Sequence, residues 1–283
     1  MRVVILRCGD VDVPAELPGT VLSVPEVPGR RDLSPLDAIA AEILPEDPTP
    51  SLDEIAQQPD VAHLEEPALA PQAPHLPEPL RIIVVGSDAA LSAVLTRMMR
   101  GDYLWAEVGF IPVGDSAAAA NWGLDSPWRI ALSGSVRPVP LIRTDLGIAV
   151  AGSATITEWE GGEITGEIIV NDHVLVRHEG REDVAFDGVF GARLVPMLDA
   201  PGIAAVRMRE PEALQLGFLQ RLAHRMSGST PVDPDSLATG RAVQAGGPAL
   251  AVTVDGVRHK RPLERSTFYR HLRDLQIIRP YCD

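Results

Sequence analysis

Cysteine, positive charge and long hydrophobic runs are scarce in this sequence, and each scarcity excludes a class of protein. The 283 residues include two cysteines, Cys8 and Cys282, which are too few for a disulfide framework or a structural zinc site. No apolar run approaches the length of a transmembrane helix, and Arg7 and Asp10 interrupt the N-terminal apolar run too early for a signal peptide. The net charge of −14 argues against general nucleic-acid binding. We therefore expect a cytoplasmic protein that does not bind nucleic acid.

What the sequence has instead is an acidic, proline-rich N-terminal region. Residues 1–80 contain 14 of the 26 prolines and 15 of the 39 acidic residues, but only 4 of the 25 basic residues. We assign residues 1–58 to the N-terminal part of an α/β domain. Residues 59–80 are predicted to be a linker or mobile loop, because proline, alanine and glutamate bury too little apolar surface to offset the entropy of ordering. The elements predicted within residues 1–58 are strands Val3–Leu6 and Thr20–Val24 and helices Leu36–Leu44 and Leu52–Gln57.

Two successive strand–glycine loop–helix units follow in residues 81–130. Each begins with a continuous apolar run typical of a buried parallel strand, ends that run at a glycine, and continues with a helical segment. The predicted elements are strand Arg81–Val85 ending at Gly86, helix Ala90–Arg100, strand Val108–Val113 ending at Gly114, and helix Ser116–Trp122. This order indicates an α/β core.

The remaining sequence has mostly β character. Residues 131–265 contain short apolar runs separated by turn residues, which predicts a β-rich domain with a hairpin turn at Asn171-Asp172. One amphipathic stretch, Glu212–Met226, predicts a helix within it. Residues 266–283 are predicted to add C-terminal strands that return to the first domain. The predicted fold class is therefore α/β plus all-β, in two domains with the site in the cleft between them.

The two glycine loops are the candidate ligand site. A glycine turn between a buried strand and a helix directs backbone N–H groups at one point, and the helix dipole adds positive charge, so each loop suits a phosphate group. If the strands are parallel neighbours, both loops lie at the same edge of the sheet. Plain strand-to-helix turns explain the pattern equally well, and Asp88 is also a good N-cap for its own helix. Ser116 weakly resembles a nucleophile elbow, which the β-rich continuation argues against.

Longer segments resemble the catalytic domain of diacylglycerol kinases, a family that shares its fold with NAD kinases and sphingosine kinases. Residues 86–91, Gly-Ser-Asp-Ala-Ala-Leu, resemble the family's Gly-Gly-Asp-Gly-Thr-Leu loop, and residues 111–115, Ile-Pro-Val-Gly-Asp, resemble its Ile-Pro-Leu-Gly-Thr loop. Residues 254–257, Val-Asp-Gly-Val, resemble a Val-Asp-Gly-Glu turn, and residues 275–280 resemble the closing strand Leu-X-Val-Leu-X-Pro. These segments occur in the family's order over residues 81–283.

This resemblance implies a two-domain diacylglycerol-kinase-like fold and ATP-dependent phosphoryl transfer to a lipid or polyol hydroxyl with Mg²⁺. It assigns Asp88 as the acid/base or metal-linked carboxylate. It also assigns Asp255 as a catalytic carboxylate, for which an ordinary Asp-Gly hairpin turn is the alternative. No residue is assigned as a metal ligand. The residues that the resemblance assigns to nucleotide binding are Gly86, Ser87, Ala89, Ala90, Gly114, Asp115, Ser116 and Gly256.

Departures from the family pattern keep a second hypothesis open. Ala89 and Ala90 replace a glycine and a threonine, Asp115 places a carboxylate where the family faces nucleotide phosphates, and Val257 replaces a glutamate. A catalytically inactive relative with a binding or regulatory role is therefore the alternative to a divergent lipid kinase. The expected partners are a nucleotide and a lipid substrate. The basic C-terminal stretch predicts either peripheral membrane contact or, more simply, a solvated sheet edge. The sequence predicts no oligomeric state.

Overall fold

The computed structural model describes residues 1–14, 16–59, 65–124, 127–178, 188–209 and 232–280. The chain forms two compact units. The first comprises residues 1–152, 196–202 and 270 onwards, and the second comprises residues 153–195 and 203–269. Within the described residues, no helix is both long enough and apolar enough to cross a membrane.

Strands are the most numerous elements of the described chain. In chain order they are β1 (Arg2–Cys8), β2 (Thr20–Val24), β3 (Leu80–Gly86), β4 (Glu107–Pro112), β5 (Val136–Val139), β6 (Ile142–Thr144), β7 (Ala149–Val150), β8 (Ala154–Glu158), β9 (Gly166–Val170), β10 (His173–His178), β11 (Gly191–Pro196), β12 (Ile203–Met208), β13 (Val232–Gly240), β14 (Ala242–Val254), β15 (Val257–Arg258), β16 (Leu263–Arg270) and β17 (Leu275–Ile278). The helices are α1 (Ser34–Ile43), α2 (Leu52–Ala56), α3 (Asp88–Arg100), α4 (Ala117–Trp122) and α5 (Pro127–Ser133).

The first unit is built on a six-stranded sheet in the order β2-β1-β3-β4-β17-β5. Strands β2, β1, β3, β4 and β17 are parallel to their neighbours, and only the β17–β5 pair is antiparallel among the described strands of this sheet. Every residue of β3 is buried, because helices cover both faces of the sheet. The predicted strand Arg81–Val85 and its parallel pairing with the next predicted strand are therefore confirmed.

Helices α1, α3 and α4 pack on one face of this sheet, and α5 packs on the other. The predicted apolar stripe of α3 is confirmed, since Leu91, Val94, Leu95 and Met98 are fully buried. Helix α2 begins with a capping box, in which Ser51 and Glu54 bond each other's backbone N–H groups. This cap was visible in the sequence because the serine and glutamate are three residues apart.

The described part of residues 59–80 makes specific contacts. The backbone N–H of Ala70 donates to the side-chain carbonyl of Gln276 at 3.1 Å, and the Gln276 amide donates to the carbonyl of Ala68 at 3.2 Å. The N–H of Ala68 donates to the Asp274 carboxylate at 3.0 Å, and the side chain of Gln72 is buried. Composition alone did not indicate these contacts, because their partners lie about 200 residues away in the sequence.

The second unit consists of β-strands over its described residues. Strands β13, β12, β11, β8, β14 and β16 are consecutive neighbours in one sheet, and β9 pairs with both β10 and β14. The predicted two-residue turn at Asn171-Asp172 is confirmed between β9 and β10, with Asn171 at a φ of 53° that asparagine tolerates well. The predicted helix Glu212–Met226 lies outside the described residues. The α/β plus β-rich fold class is thus what the structure shows.

Candidate functional site

The carboxyl ends of three neighbouring parallel strands each lead into a glycine. Strand β1 is followed by Gly9, β3 ends at Gly86, and β4 is followed closely by Gly114. Gly9 and Gly114 have φ values of 84° and 79°, a region that favours glycine. The Val113 N–H donates to the carbonyl of Gly86 at 2.9 Å, so the β3 and β4 loops are directly joined. The two predicted loops therefore share one sheet edge, and sequence reasoning missed the third turn although its glycine follows an obvious apolar run.

The first loop packs closely against the end of β1. A Cβ at Gly86 would lie 2.9 Å from the Cβ of Cys8, so only glycine fits without a shift. Burial raises the pKa of the Cys8 thiol to about 12, which keeps it protonated and unreactive near neutral pH. Ser87, and not Asp88, is the N-cap of α3, because its hydroxyl accepts from the Ala90 N–H at 3.3 Å. The interpretation of Asp88 as the N-cap of its own helix was therefore wrong by one residue.

Asp88 instead caps the neighbouring helix. Its carboxylate accepts hydrogen bonds from the Ala117 N–H at 2.8 Å and the Ala118 N–H at 3.2 Å, and from the hydroxyl of Ser116. The Ser116 hydroxyl in turn accepts from the Ala119 N–H at 2.9 Å as the N-cap of α4. Three free N–H groups at the start of α4 are thus satisfied by two side chains. Ser116 is held between a carboxylate and a backbone amide, which argues against its use as an elbow nucleophile.

Two residues that the sequence analysis did not single out complete this arrangement. A Cβ at Gly152 would lie 2.6 Å from the Asp88 carboxylate and 2.7 Å from the Ala118 nitrogen, so the backbone of residue 152 covers the cap. The Asn121 amide, one helical turn along α4, donates to the Gly152 carbonyl at 2.9 Å. The position of Gly152 depends on a contact across more than 60 residues, and no local pattern in the sequence could have indicated it.

The charge at this edge is negative. Asp115 is exposed beside Ser116, and residues 86–90 and 112–118 contain no lysine or arginine. The N-terminus of α4, where a phosphate would be expected, already holds the Asp88 carboxylate. Among the described residues, no group of three or more histidine, cysteine or acidic side chains is placed to hold a metal ion. The residues at α4 therefore do not fit the triphosphate and Mg²⁺ that the family resemblance implies.

The remaining predicted residues have different surroundings. Ala90 is buried against Gly86, while Ala89 and the second-loop residue Gly114 are more open, with no atom within 4 Å of a Cβ at position 114. Asp255 and Gly256 belong to the second unit, where they form the two-residue turn between β14 and β15.

The Asp255–Gly256 turn has the backbone of a tight hairpin. Their φ values of 48° and 80° are both positive, as in a type I′ turn, which agrees with the hairpin interpretation. Asp255 is buried, and its carboxylate accepts from the Ser153 N–H at 2.9 Å. Its neighbour Val257, at the position of the family's glutamate, is 54% exposed and has no ionisable group.

Comparison with known proteins identifies the fold. The sequence matches no known protein-family profile and no curated protein. The structure is similar to that of a protein from Bacillus anthracis str. Sterne described as a diacylglycerol kinase, with a TM-score of 0.57 and 10% sequence identity over 99% of this chain and 97% of that chain. A second diacylglycerol kinase structure from the same organism matches with a TM-score of 0.53, 10% identity and the same coverage. The chain therefore has a diacylglycerol-kinase-like fold, as the sequence resemblance predicted.

Proposed function

We propose that this chain is a binding or regulatory protein built on a diacylglycerol-kinase-like fold, and that it does not transfer phosphate. The observation that carries this proposal is the engagement of Asp88 with the N-terminus of α4. Helix N-termini bind phosphate because they present unpaired N–H groups and partial positive charge. In this chain the protein's own carboxylate takes that place, and a phosphate would have to displace it.

The chemistry expected of Asp88 in a kinase conflicts with these contacts. A general base needs an accessible oxygen within hydrogen-bond reach of the acceptor hydroxyl. An ionised carboxylate has about four acceptor positions, and three are taken here by one hydroxyl and two backbone amides. Moving Asp88 to a substrate would leave the Ala117 and Ala118 N–H groups without their acceptor. We therefore assign Asp88 a structural role, which is to join the β3 and β4 loops.

The electrostatic environment supports the same proposal. Phosphoryl transfer relies on cations that neutralise charge developing on the phosphate oxygens. The two loops supply Asp88 and the exposed Asp115 but no basic side chain. Ala90 also offers no hydroxyl at the position where the family has a threonine. Each difference reduces the capacity of this edge to hold a triphosphate.

An ATP-dependent lipid or polyol kinase is the second candidate. Its support is the similarity in fold to two proteins described as diacylglycerol kinases, together with the buried carboxylate of Asp255. In that case Asp255 would be the acid/base residue. Fold similarity alone does not establish an activity, because one fold hosts unrelated functions.

Transfer of the γ-phosphate from Mg²⁺-ATP to diacylglycerol in mixed micelles separates the two candidates. We expect wild type to form no phosphorylated lipid above a protein-free blank. The matched variants are Asp255→Asn and Asp88→Asn. Product formation that Asp255→Asn abolishes would establish the kinase candidate and contradict our proposal. A trace of product that both variants retain would identify a contaminating kinase.

A further inference from the structure

A cavity lies in the first unit, at the sheet edge opposite the glycine loops. It is a cavity of about 310 Å³ beside residues that lead into β4 and β17, which places it at the amino ends of these strands. Ile55, Leu104 and Trp105 form apolar walls. The charged lining residues are Asp102, Arg273 and Asp274, of which Asp274 is already paired with Arg270 at 2.9 Å. None of the residues considered above for nucleotide binding lines this cavity.

Both the backbone conformation and the helix dipole disfavour an aspartate at position 102. It follows the C-terminus of α3 with a φ of 55°, where glycine or asparagine is usual. The Tyr103 N–H donates to the Met98 carbonyl at 3.0 Å, which fixes this left-handed turn. A carboxylate at a helix C-terminus is repelled by the helix dipole. Asp102 is exposed at the cavity rim, and partial desolvation there, opposed by the charge of Arg273, raises the pKa of its carboxyl group.

The Asp102 carboxylate also lacks a partner in the described part of the chain. No described residue donates a hydrogen bond to it, and no described basic group forms an ion pair with it within 4 Å. Residues that are unfavourable for the fold in several ways tend to be kept at functional sites, where a ligand compensates for them. A cation placed at the cavity rim would pair with the carboxylate and would lie at the negative end of the α3 dipole.

Arg273 is the second charged group of the cavity. Its side chain is 8% exposed, and its Nη2 donates to the carbonyl of Pro50 at 2.7 Å. Its Nε is buried beyond the reach of a ligand in the cavity, but its Nη1 also has no acceptor among the described residues and is the donor that a ligand could engage. The positive charge of Arg273 acts to lower the pKa of Asp102, so the two groups interact electrostatically. A ligand that offers an acceptor oxygen to Arg273 would complete the donors of that guanidinium.

We propose that this cavity binds a small zwitterion with an apolar body, of the chemical class of the apolar α-amino acids. The ammonium group pairs with Asp102 and the C-terminus of α3, the carboxylate accepts from Arg273, and the side chain packs on Trp105 and its neighbours. An anion without the ammonium would be repelled by Asp102 and by the nearby Asp47, whose charge also acts to raise the pKa of Asp102. An amine without the carboxylate would be opposed by Arg273. This site is independent of whether the chain transfers phosphate.

Binding is tested with the full chain and three probes that share one carbon skeleton. L-Leucine carries both charges, 4-methylpentanoate carries only the carboxylate, and 3-methylbutylamine carries only the ammonium. Tryptophan fluorescence reports occupancy because Trp105 lines the cavity, and titration calorimetry gives the dissociation constant. We expect saturable binding of L-leucine and binding at least about tenfold weaker for either singly charged probe, since a hydrogen bond to a charged group is worth about a factor of ten.

Variants at Asp102 separate ligand binding from folding. Asp102→Asn removes the charge and keeps a residue that tolerates positive φ, so it should fold and bind L-leucine about tenfold more weakly. Asp102→Gly should raise the unfolding temperature of the free protein and abolish stabilisation by L-leucine. Asp145→Asn, an exposed turn residue outside the cavity, is the matched control and should bind as wild type does.

Several results would overturn this inference. One is the absence of L-leucine binding at millimolar concentration, and another is equal binding of a singly charged probe. A third is unchanged affinity in Asp102→Asn. A fall in the unfolding temperature of free Asp102→Gly would show that the carboxylate stabilises the fold, and the argument from its placement would then fail.

Discussion

Replacing Asp88 by alanine should destabilise the protein far more than its partial exposure suggests. The substitution removes the acceptor of the Ala117 and Ala118 N–H groups and the partner of the Ser116 hydroxyl. These contacts join two helices whose first residues are 29 positions apart in the sequence. The loss therefore combines a missing helix cap with a missing tertiary connection.

The magnitude follows from the three accepted hydrogen bonds. A hydrogen bond to a charged group contributes about 1.5–3 kcal/mol when it is sheltered from water. Asp88 is half-buried, so water replaces part of what is lost, and Ser116 still caps the Ala119 N–H. We expect the free energy of unfolding to fall by about 3 kcal/mol. For a domain of this size, that corresponds to a decrease of about 6–12 °C in the unfolding temperature.

Urea and thermal unfolding followed by circular dichroism measure this change. Asp115→Ala is the matched control, because Asp115 is an exposed aspartate three residues from the Ala118 N–H and should change the free energy of unfolding by less than about 0.5 kcal/mol. Asp88→Asn retains one acceptor oxygen and should fall between wild type and Asp88→Ala. An Asp88→Ala protein as stable as wild type would refute the structural role that we assign to this carboxylate.

Three further predictions concern the same sheet edge. Asp88→Ala should uncover the N-terminus of α4, so sulfate should stabilise this variant against heat more than it stabilises wild type, and equal effects would contradict this. Gly152→Ala should cost about 1–3 kcal/mol of stability through overpacking, because its Cβ would lie 2.6 Å from the Asp88 carboxylate, whereas Gly162→Ala, with no atom within 4 Å, should be tolerated. In a Cys282→Ser background, iodoacetamide at pH 8.5 should modify Cys8 only after unfolding, because burial raises the pKa of this thiol to about 12, and rapid modification of the native protein would contradict that.

Local sequence patterns predicted the parts of the fold that local physics determines. The β-branched run of β3, the apolar stripe of α3 and the Ser51 capping box all depend on neighbouring residues, and all three are confirmed. The shared edge of the two glycine loops also followed, because adjacent parallel strands end at the same side of a sheet.

The contacts on which the proposed function rests involve residues far apart in the sequence. Asp88 is a residue type common at helix N-caps and lies at the start of α3, and only the tertiary structure brings its carboxylate to α4. Gly152 covers that contact from a position 64 residues later. In the sequence Asp102 is an ordinary residue after a helix. Only the structure shows that it lines a cavity together with Arg273, from the other end of the chain. Motif comparison therefore identified the fold, whereas the contacts of the surviving Asp88 could be found only in the structure.

In our proposal the protein's own carboxylate occupies the phosphate position at the kinase-like edge. Thermal unfolding of wild type with and without millimolar Mg²⁺-ATP tests this most directly. A ligand at a hundred times its dissociation constant stabilises a protein by about 2.7 kcal/mol, which is easily measured as a higher unfolding temperature. We expect no increase in the unfolding temperature with Mg²⁺-ATP. An increase that is altered in Asp88→Asn would contradict our proposal and would place a working nucleotide site at this edge.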